Sequence, residues 1–311
     1  MRERLADLGY QLGWSTVKRL PEPAALALGR RAADSAWRRR GPRVQQLEAN
    51  LARVVPEADE AALRELSRAG MRSYLRYWVE SFRLPVWSRE RIGASLRLDD
   101  VHHLTDGIAA GRGVVLALPH LANWDLAGSW LVTELRTPFT TVAERLRPER
   151  LFDRFIAYRE GLGMEVVAHD GGAAFGRLAR RLRAGGVVAL VADRDLSASG
   201  VPVDFFGERA SMPAGPALLA QQTGAALLPV SLWYDDTPVM RGRVMAPLPV
   251  PEAGTRAERT AALTQALADR FAEAIAAHPQ DWHMLQRLWA ADLKDPPAEP
   301  ADQARRAEEP R

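Results

Sequence analysis

The chemistry in this sequence centres on one histidine. Leu118-Pro119-His120-Leu121-Ala122-Asn123-Trp124-Asp125 places His120 just past a short apolar run and an acid five residues later. An imidazole paired with an ionised carboxylate is a base: the acid fixes the tautomer and stabilises the imidazolium once a proton has been taken. Asp125 falls in the first turn of the following helix, where the helix dipole favours its charge. The bend between strand and helix could return that carboxylate to the ring.

Other charged groups gather at comparable places. Val191-Ala192-Asp193-Arg194-Asp195 ends another apolar run with two acids around an arginine, and either Asp193 or Asp195 could approach His120 if the two runs are neighbours. Glu144-Arg145 ends a third run, and Arg159 closes the helix after it. Arg145, Arg159 and Arg194 suit phosphates or carboxylates, which guanidinium binds bidentately. Phe205 and Phe206, with Trp124 and Trp130, could line an apolar groove. Ser211, Pro213 and Gly215 mark a helix start whose free N–H groups could hold an anion. His102, His103, His169, His278 and His283 lack such surroundings and carry less. No metal-ligand spacing of the HExxH kind occurs, so no metal is expected. There is no dinucleotide or P-loop glycine motif and no GxSxG elbow.

The elements that must hold these groups alternate. Short apolar runs at 113–119, 138–142, 164–168, 186–192, 227–233 and 239–245 read as buried strands, with helical patterns at 124–135, 148–162, 173–184, 213–223 and 258–277. That alternation predicts an α/β fold, a mainly parallel sheet flanked by helices, whose ligands gather at the carboxyl ends of the strands. Residues 1–111 read as an N-terminal helical layer, residues 112–293 as the α/β core, and 1–293 as one domain. From Lys294 the composition turns to Pro, Ala, Glu and Arg, which reads as a disordered tail.

Composition narrows the classes. The chain has 311 residues, 47% of them hydrophobic, and no cysteine, so disulfides, thiolate metal sites and a cysteine nucleophile are excluded. Of its 42 basic residues all but Lys18 and Lys294 are arginine. The arginines are spread over helices without aromatic interleaving, which argues against nucleic acid as a partner. No run reaches the roughly 18–20 apolar residues a spanning helix needs. No signal-peptide pattern opens the chain. Residues 1–40 instead alternate Leu5, Leu8, Leu12, Trp14 and Leu28 with Arg2, Arg4, Arg19, Arg30 and Arg31. Such basic amphipathic helices suit an anionic membrane surface, or an ordinary core-facing layer.

Taken together, His120-x4-Asp125, Glu144-Arg145, Arg159, Asp193-Arg194-Asp195, Phe205-Phe206-Gly207 and Thr223-Gly224-Ala225…Pro229-Val230 resemble the bacterial lysophospholipid acyltransferase superfamily. The resemblance covers roughly residues 40–290, including Asn50-Leu51 and Trp78-Val-Glu80. Within it, the branch of late lipid A acyltransferases and actinobacterial phosphatidylinositol mannoside acyltransferases is the more similar, and the Val-Asp-Phe-Phe-Gly and Met-Pro-Ala-Gly-Pro blocks resemble the mannoside enzymes. The resemblance implies a glycerolipid acyltransferase-like fold. It also implies transfer of a fatty acyl chain from acyl-CoA, a co-substrate, to the 6-hydroxyl of mannose on a phosphatidylinositol mannoside, with no resident cofactor. His120 matches the general base, Asp125 the motif acid, one of Asp193 and Asp195 the later acid, and Glu144 and Arg159 positions that hold the acceptor. The Pro-Glu-Gly-Thr block of glycerol-phosphate enzymes is absent, which weighs against that acceptor. The implied setting is peripheral attachment at the cytoplasmic face of the membrane. The competing readings are a lipid A-type or other glycolipid acyltransferase and a non-catalytic lipid-binding relative.

Overall fold

A computed structural model describes residues 17–143, 149–169, 172–195, 200–235 and 237–293. The N-terminal helices are α1 (Glu22–Arg39), α2 (Pro42–Val54), α3 (Glu60–Arg83) and α4 (Arg89–Ser95). The alternating part follows: β1 (Leu96–Asp99), α5 (His102–Ala109), β2 (Val114–Leu118), α6 (Trp124–Thr133), β3 (Phe139–Ala143), α7 (Glu149–Gly161), β4 (Glu165–Ala168), α8 (Gly172–Arg183) and β5 (Val187–Val191). The hairpin β6 (Val201–Phe205) and β7 (Glu208–Met212) comes next. The chain then runs through α9 (Gly215–Thr223), β8 (Ala226–Tyr234), β9 (Met240–Val244), α10 (Arg256–Ala277) and α11 (Ala290–Leu293).

Seven strands form one sheet in the order β1-β9-β8-β2-β5-β3-β4. The five strands from β8 to β4 run the same way, and β9 turns antiparallel on β8 with β1 parallel to it. The fold is thus the expected α/β class. β2 is buried at all five positions, as a central parallel strand covered on both faces must be. Its entry is tight: Gly113 has φ +82°, and a Cβ there would lie 2.4 Å from the Leu182 carbonyl oxygen.

Every expected strand is present. Two features depart from the sequence reading. Residues 96–99 are a sheet strand, so the α/β part begins within the stretch read as all-helical; Leu96–Asp99 is only four residues long and adds its hydrogen bonds to an edge. The block 201–212 is an antiparallel hairpin outside the main sheet, turned by Phe206 and Gly207 at φ +53° and +74°. The tail from 294 and the amphipathic positions Leu5 to Trp14 lie outside the described residues.

The helical layer is tied to the end of the chain. Val44, Leu47, Leu51 and Met71 form a small core with Leu285. The amide of buried Asn50 donates to the carbonyls of Met284 and Gln286. Arg53 holds Asp292 through paired bonds of 2.9 and 2.8 Å. The segment 279–289 is thereby pressed between α2, α3 and the strand ends.

Candidate active site

The register of the sheet creates the central pair. β2 lies beside β5, with Leu118 opposite Val191. The amide of Ala192 donates to the Leu118 carbonyl, so pairing continues past the strands. His120 and Asp193 each stand two residues beyond those partners, and they meet. His120 Nδ1 lies 2.5 Å from Asp193 Oδ1, and the His120 amide donates to Asp193 Oδ2 at 3.0 Å. Of the two candidates, Asp193 is the acid on the histidine.

Asp193 is fully buried, whereas the His120 side chain is 26% exposed. Burial alone pushes the Asp193 carboxyl up. The His120 charge and the bonds from His120 and Trp282 outweigh it and hold the carboxyl below its ordinary value. With Nδ1 committed to Asp193, Nε2 is the nitrogen left to exchange a proton.

Asp125 does not return to the imidazole. Asn123 caps α6, its Oδ1 accepting from the Leu126 amide, while its Nδ2 donates to Glu80 in α3. That cap directs the first turn toward α3 and α7. Asp125 Oδ2 accepts from Tyr77 and Oδ1 from Arg159 Nε, at 3.0 and 2.8 Å. Burial works against the Arg159 charge, but Asp125 overrides it and keeps the guanidinium firmly protonated. Trp124, the residue before Asp125, presents its ring edge-on to His120 at 5.3 Å between centroids.

Asp195 serves a different purpose from Asp193. Its Oδ2 accepts from the Gly200 amide at 2.8 Å and from Ser211 Oγ at 3.4 Å. Ser211 lies in β7, not at the start of α9, so its hydroxyl bonds within the loop rather than marking a helix N-terminus. Phe205 does not line a groove: it is 1% exposed, lies within 6.1–6.2 Å of Trp289 and Trp282, and accepts the Trp289 indole N–H on its carbonyl. Phe206 packs against it from the turn. Arg194 follows Asp193 in the loop and is half-buried. Glu144 and Arg145 lie outside the described residues.

An apolar cleft with about 790 Å³ of space, part of it open to solvent, runs between α6 and one face of the sheet. Its floor takes alternate residues of successive strands, Leu96 and Leu98, Val230 and Leu232, Leu116 and Leu118, Ala189 and Val191. Its roof is Trp124, Ala127, Gly128, Trp130 and Leu131 of α6. Asp125 and Arg159 are the charged groups in its wall. Trp124 and Trp130 thus line a groove, as their type suggested.

Several residues of the site have no role assigned by the motifs. Glu80 stands out in the sequence as one acid in an apolar helix. It accepts from Asn123, Arg76 and Tyr234 at 3.0, 2.7 and 2.7 Å. Trp282 donates to Asp193, and Ser73, Asp281 and His283 form a buried cluster beside it. His283, one of the histidines that carried less, is in fact next to the site, its amide bonded to the His120 carbonyl. Their common signal is polar residues within aromatic surroundings, Ser73-Tyr-Leu-Arg-Tyr77 and Asp281-Trp-His283. Among the described residues no group of three or more His, Cys, Asp or Glu side chains is placed to hold a metal ion. No described helix is long and apolar enough to cross a membrane.

The family model for bacterial lipid A biosynthesis acyltransferases matches residues 4–291. A phosphatidylinositol mannoside acyltransferase of Mycolicibacterium smegmatis is 50% identical over 294 residues, 94% of each chain. One from Mycobacterium tuberculosis is 48% identical over 293 residues, covering 93% of this chain and 90% of that protein. Among solved structures, the 1-acyl-sn-glycerophosphate acyltransferase PlsC of Thermotoga maritima aligns with a TM-score of 0.36 at 15% identity, over 66% of this chain and 86% of its own.

Proposed function

Because the chain belongs to the bacterial lipid A biosynthesis acyltransferase family and so is an acyltransferase, we propose that it moves a long fatty acyl chain from acyl-CoA to the 6-hydroxyl of mannose on a phosphatidylinositol mannoside. The acceptor class comes from the relatives' names. The observation that carries the mechanism is the His120–Asp193 pair: a fully buried carboxylate backing Nδ1 of an imidazole whose side chain is partly exposed.

His120 Nε2 takes the proton of the mannose hydroxyl. The oxygen attacks the thioester carbonyl of acyl-CoA, giving a tetrahedral oxyanion. Collapse breaks the C–S bond, and the imidazolium returns its proton to the leaving CoA thiolate. No acyl-enzyme forms. Asp193 stabilises the imidazolium throughout. Backbone N–H groups or Arg194 stabilise the oxyanion. The acyl chain lies in the cleft under α6, whose apolar floor and roof suit it. Arg159, locked by Asp125 in the wall of that cleft, faces the acceptor's polar head. By the resemblance, Glu144 matches a second position that holds the acceptor, and Arg145 beside it in sequence is a candidate for binding an anionic group. The reaction needs no resident cofactor.

The acceptor lives in a membrane and the donor in the cytosol, so the protein works as a peripheral protein at the cytoplasmic face. α1 carries half-exposed Leu28 together with Arg30, Arg31, Arg38 and Arg39 along its length, which supports attachment through the N-terminal helices. The test is direct. Purified protein is given palmitoyl-CoA with phosphatidylinositol mannosides, lipid A precursors or lysophosphatidate, and products are read by mass spectrometry. Thiol reagents report released CoA cleanly, since the chain has no cysteine. Palmitate on mannose is the expected result. Transfer only to another acceptor overturns the acceptor assignment, and CoA release by His120→Ala at the normal rate overturns the mechanism.

A further inference from the structure

Asp193 has two oxygens, and they are used differently. Oδ1 faces His120 Nδ1. Oδ2 accepts two N–H donors, the His120 amide at 3.0 Å and the Trp282 indole at 2.9 Å. A carboxylate held on one oxygen by two converging donors cannot rotate without breaking both, so its other oxygen stays aimed at the ring.

Trp282 is fully buried, and a buried indole needs some acceptor for its N–H. Its neighbour Trp289 meets that need in the ordinary way, on the backbone carbonyl of Phe205. Trp282 instead gives its N–H to the carboxylate that backs the base. The choice of acceptor distinguishes it from core filling.

The segment carrying Trp282 is fixed on both sides. Its backbone forms a short bridge with the histidine loop: the Ala122 amide donates to the Asp281 carbonyl at 3.0 Å and the His283 amide to the His120 carbonyl at 2.8 Å, with Leu121 opposite Trp282. Ala122 adopts φ +47° to make this turn. On the other side, Ser73 Oγ in α3 donates to Asp281 Oδ1 at 2.6 Å and lies 2.9 Å from His283 Nε2. The Tyr234 amide donates to Asp281 Oδ2 at 2.9 Å. With the Ser73 proton committed to Asp281, His283 donates through Nε2 and its Nδ1 is bare, in agreement with the absence of a partner for that atom among the described residues. The side chains of residues 281–283 thus hold α3 at one edge and Asp193 at the other.

We propose that Trp282 is a positioning residue for the His120–Asp193 pair, its indole N–H pinning Asp193 Oδ2 so that Oδ1 stays on His120, and that residues 281–283, anchored on Ser73, strap this pair to the N-terminal helical layer. Its bearing on turnover rests on the acyl-transfer reading above; the geometric claim does not.

The experiment is Trp282→Phe, which keeps an aromatic ring and removes the donor. Three readouts are followed. In acyl transfer, kcat falls about tenfold, as loss of one hydrogen bond to a charged group implies, with KM within about twofold. The acid limb of kcat/KM, which reports the His–Asp pair titrating as a unit, moves up by about half a pH unit, because a carboxylate with one donor fewer retains the pair's proton more strongly. The downfield proton resonance of the His120–Asp193 hydrogen bond shifts or broadens. In an Asp193→Asn background, Trp282→Phe has no further effect on kcat. Where Trp282→Phe destabilises the fold, a benzothienyl amino acid introduced at position 282 by amber suppression keeps the bicycle and replaces N–H with sulfur; the same changes are expected. An unmoved pH limb and an unmoved resonance in a folded variant overturn the proposal, as does additivity with Asp193→Asn. Should the natural protein transfer no acyl group, the functional reading fails, and the resonance alone still decides whether Trp282 positions the pair.

Discussion

Two ion pairs are held through residues five apart in sequence, His120 and Asp125. In one, Asp193 is sealed and its partner His120 is 26% exposed. In the other, Asp125 is 2% exposed and its partner Arg159 only 15%. Both carboxylates are desolvated, both accept from more than one donor, and each gains from a cation. The difference lies in the cation. Arginine does not lose its proton in a protein, so the Asp125–Arg159 pair is a fixed charge arrangement. Imidazole exchanges its proton near neutral pH, and this one is partly exposed. One pair is made to hold a shape, the other to move a proton.

That contrast can be broken by experiment. The largest effect is expected at His120: His120→Ala lowers the acyl-transfer rate about a thousandfold, the range of a lost general base, and it also lowers thermal stability, because the fully buried Asp193 loses its cation. CoA-release assays and calorimetry check both halves. If the two pairs differ as argued, Asp193→Asn and Asp125→Asn separate next. Asp193→Asn lowers kcat about a hundredfold and changes the pH–rate profile. Asp125→Asn strands a buried guanidinium and costs about 3 kcal/mol of stability, measured by urea unfolding, with the pH profile keeping its shape. Identical pH profiles for the two variants would remove the distinction.

A subtler test uses the buried cluster behind the pair. Burial raises the Asp281 carboxyl to about 6, and burial together with the His120 charge lowers the His283 imidazole to about 3. The signs are opposite. A carboxyl whose folded value is raised contributes stability that is full below about pH 4 and is lost as pH rises through 6. A histidine whose folded value is depressed contributes stability that is present above about 6.5 and is lost as pH falls toward 3. Between pH 4 and 6 the two slopes offset each other. His283→Gln removes one, so its stability relative to the natural protein falls as pH rises across that window, by up to about 1.4 kcal/mol per unit. Denaturation series at pH 4, 5 and 6 read the slope; a flat difference contradicts the assignment.

Two smaller effects sharpen the picture. Ala189→Phe raises the floor of the cleft and, by excluding about two methylenes, costs palmitoyl-CoA roughly tenfold in kcat/KM while sparing shorter donors. Competition between acyl-CoA lengths measures this. Asp195→Asn weakens the bonds to Gly200 and Ser211 rather than one to His120, so it lowers kcat less than about threefold and stability by about 1 kcal/mol. A hundredfold loss there would make Asp195, not Asp193, the critical acid.

Much of this was legible from residues alone. The strands were, because apolar runs such as Val-Val-Leu-Ala-Leu between Gly113 and Pro119 have few other uses. His120 was, because it ends such a run. The hairpin 201–212 was not: its Phe-Phe-Gly turn reads as a lining motif when only composition is visible, and packing against Trp282 and Trp289 puts Phe205 in the core instead. The Asp125 partner was misjudged for a related reason. Spacing says that five residues can bridge strand end and helix, but the side chain's direction follows from the Asn123 cap and from Glu80, which lies 43 positions away.

The sequence by itself determined the class of fold, the base and the set of acids from which its partner had to come. It did so through local physics: apolar period, strand ends, and residue types that can hold or lose a proton. Only the tertiary structure decided that the partner is Asp193. That outcome depends on β5 lying beside β2 with Leu118 opposite Val191, and a slip of one residue would put Ala192 or Arg194 beside His120 in its place. It equally decided that a tryptophan 89 positions from Asp193 would supply the second donor. Strand order and register are set by the whole core at once, and no window of sequence contains them.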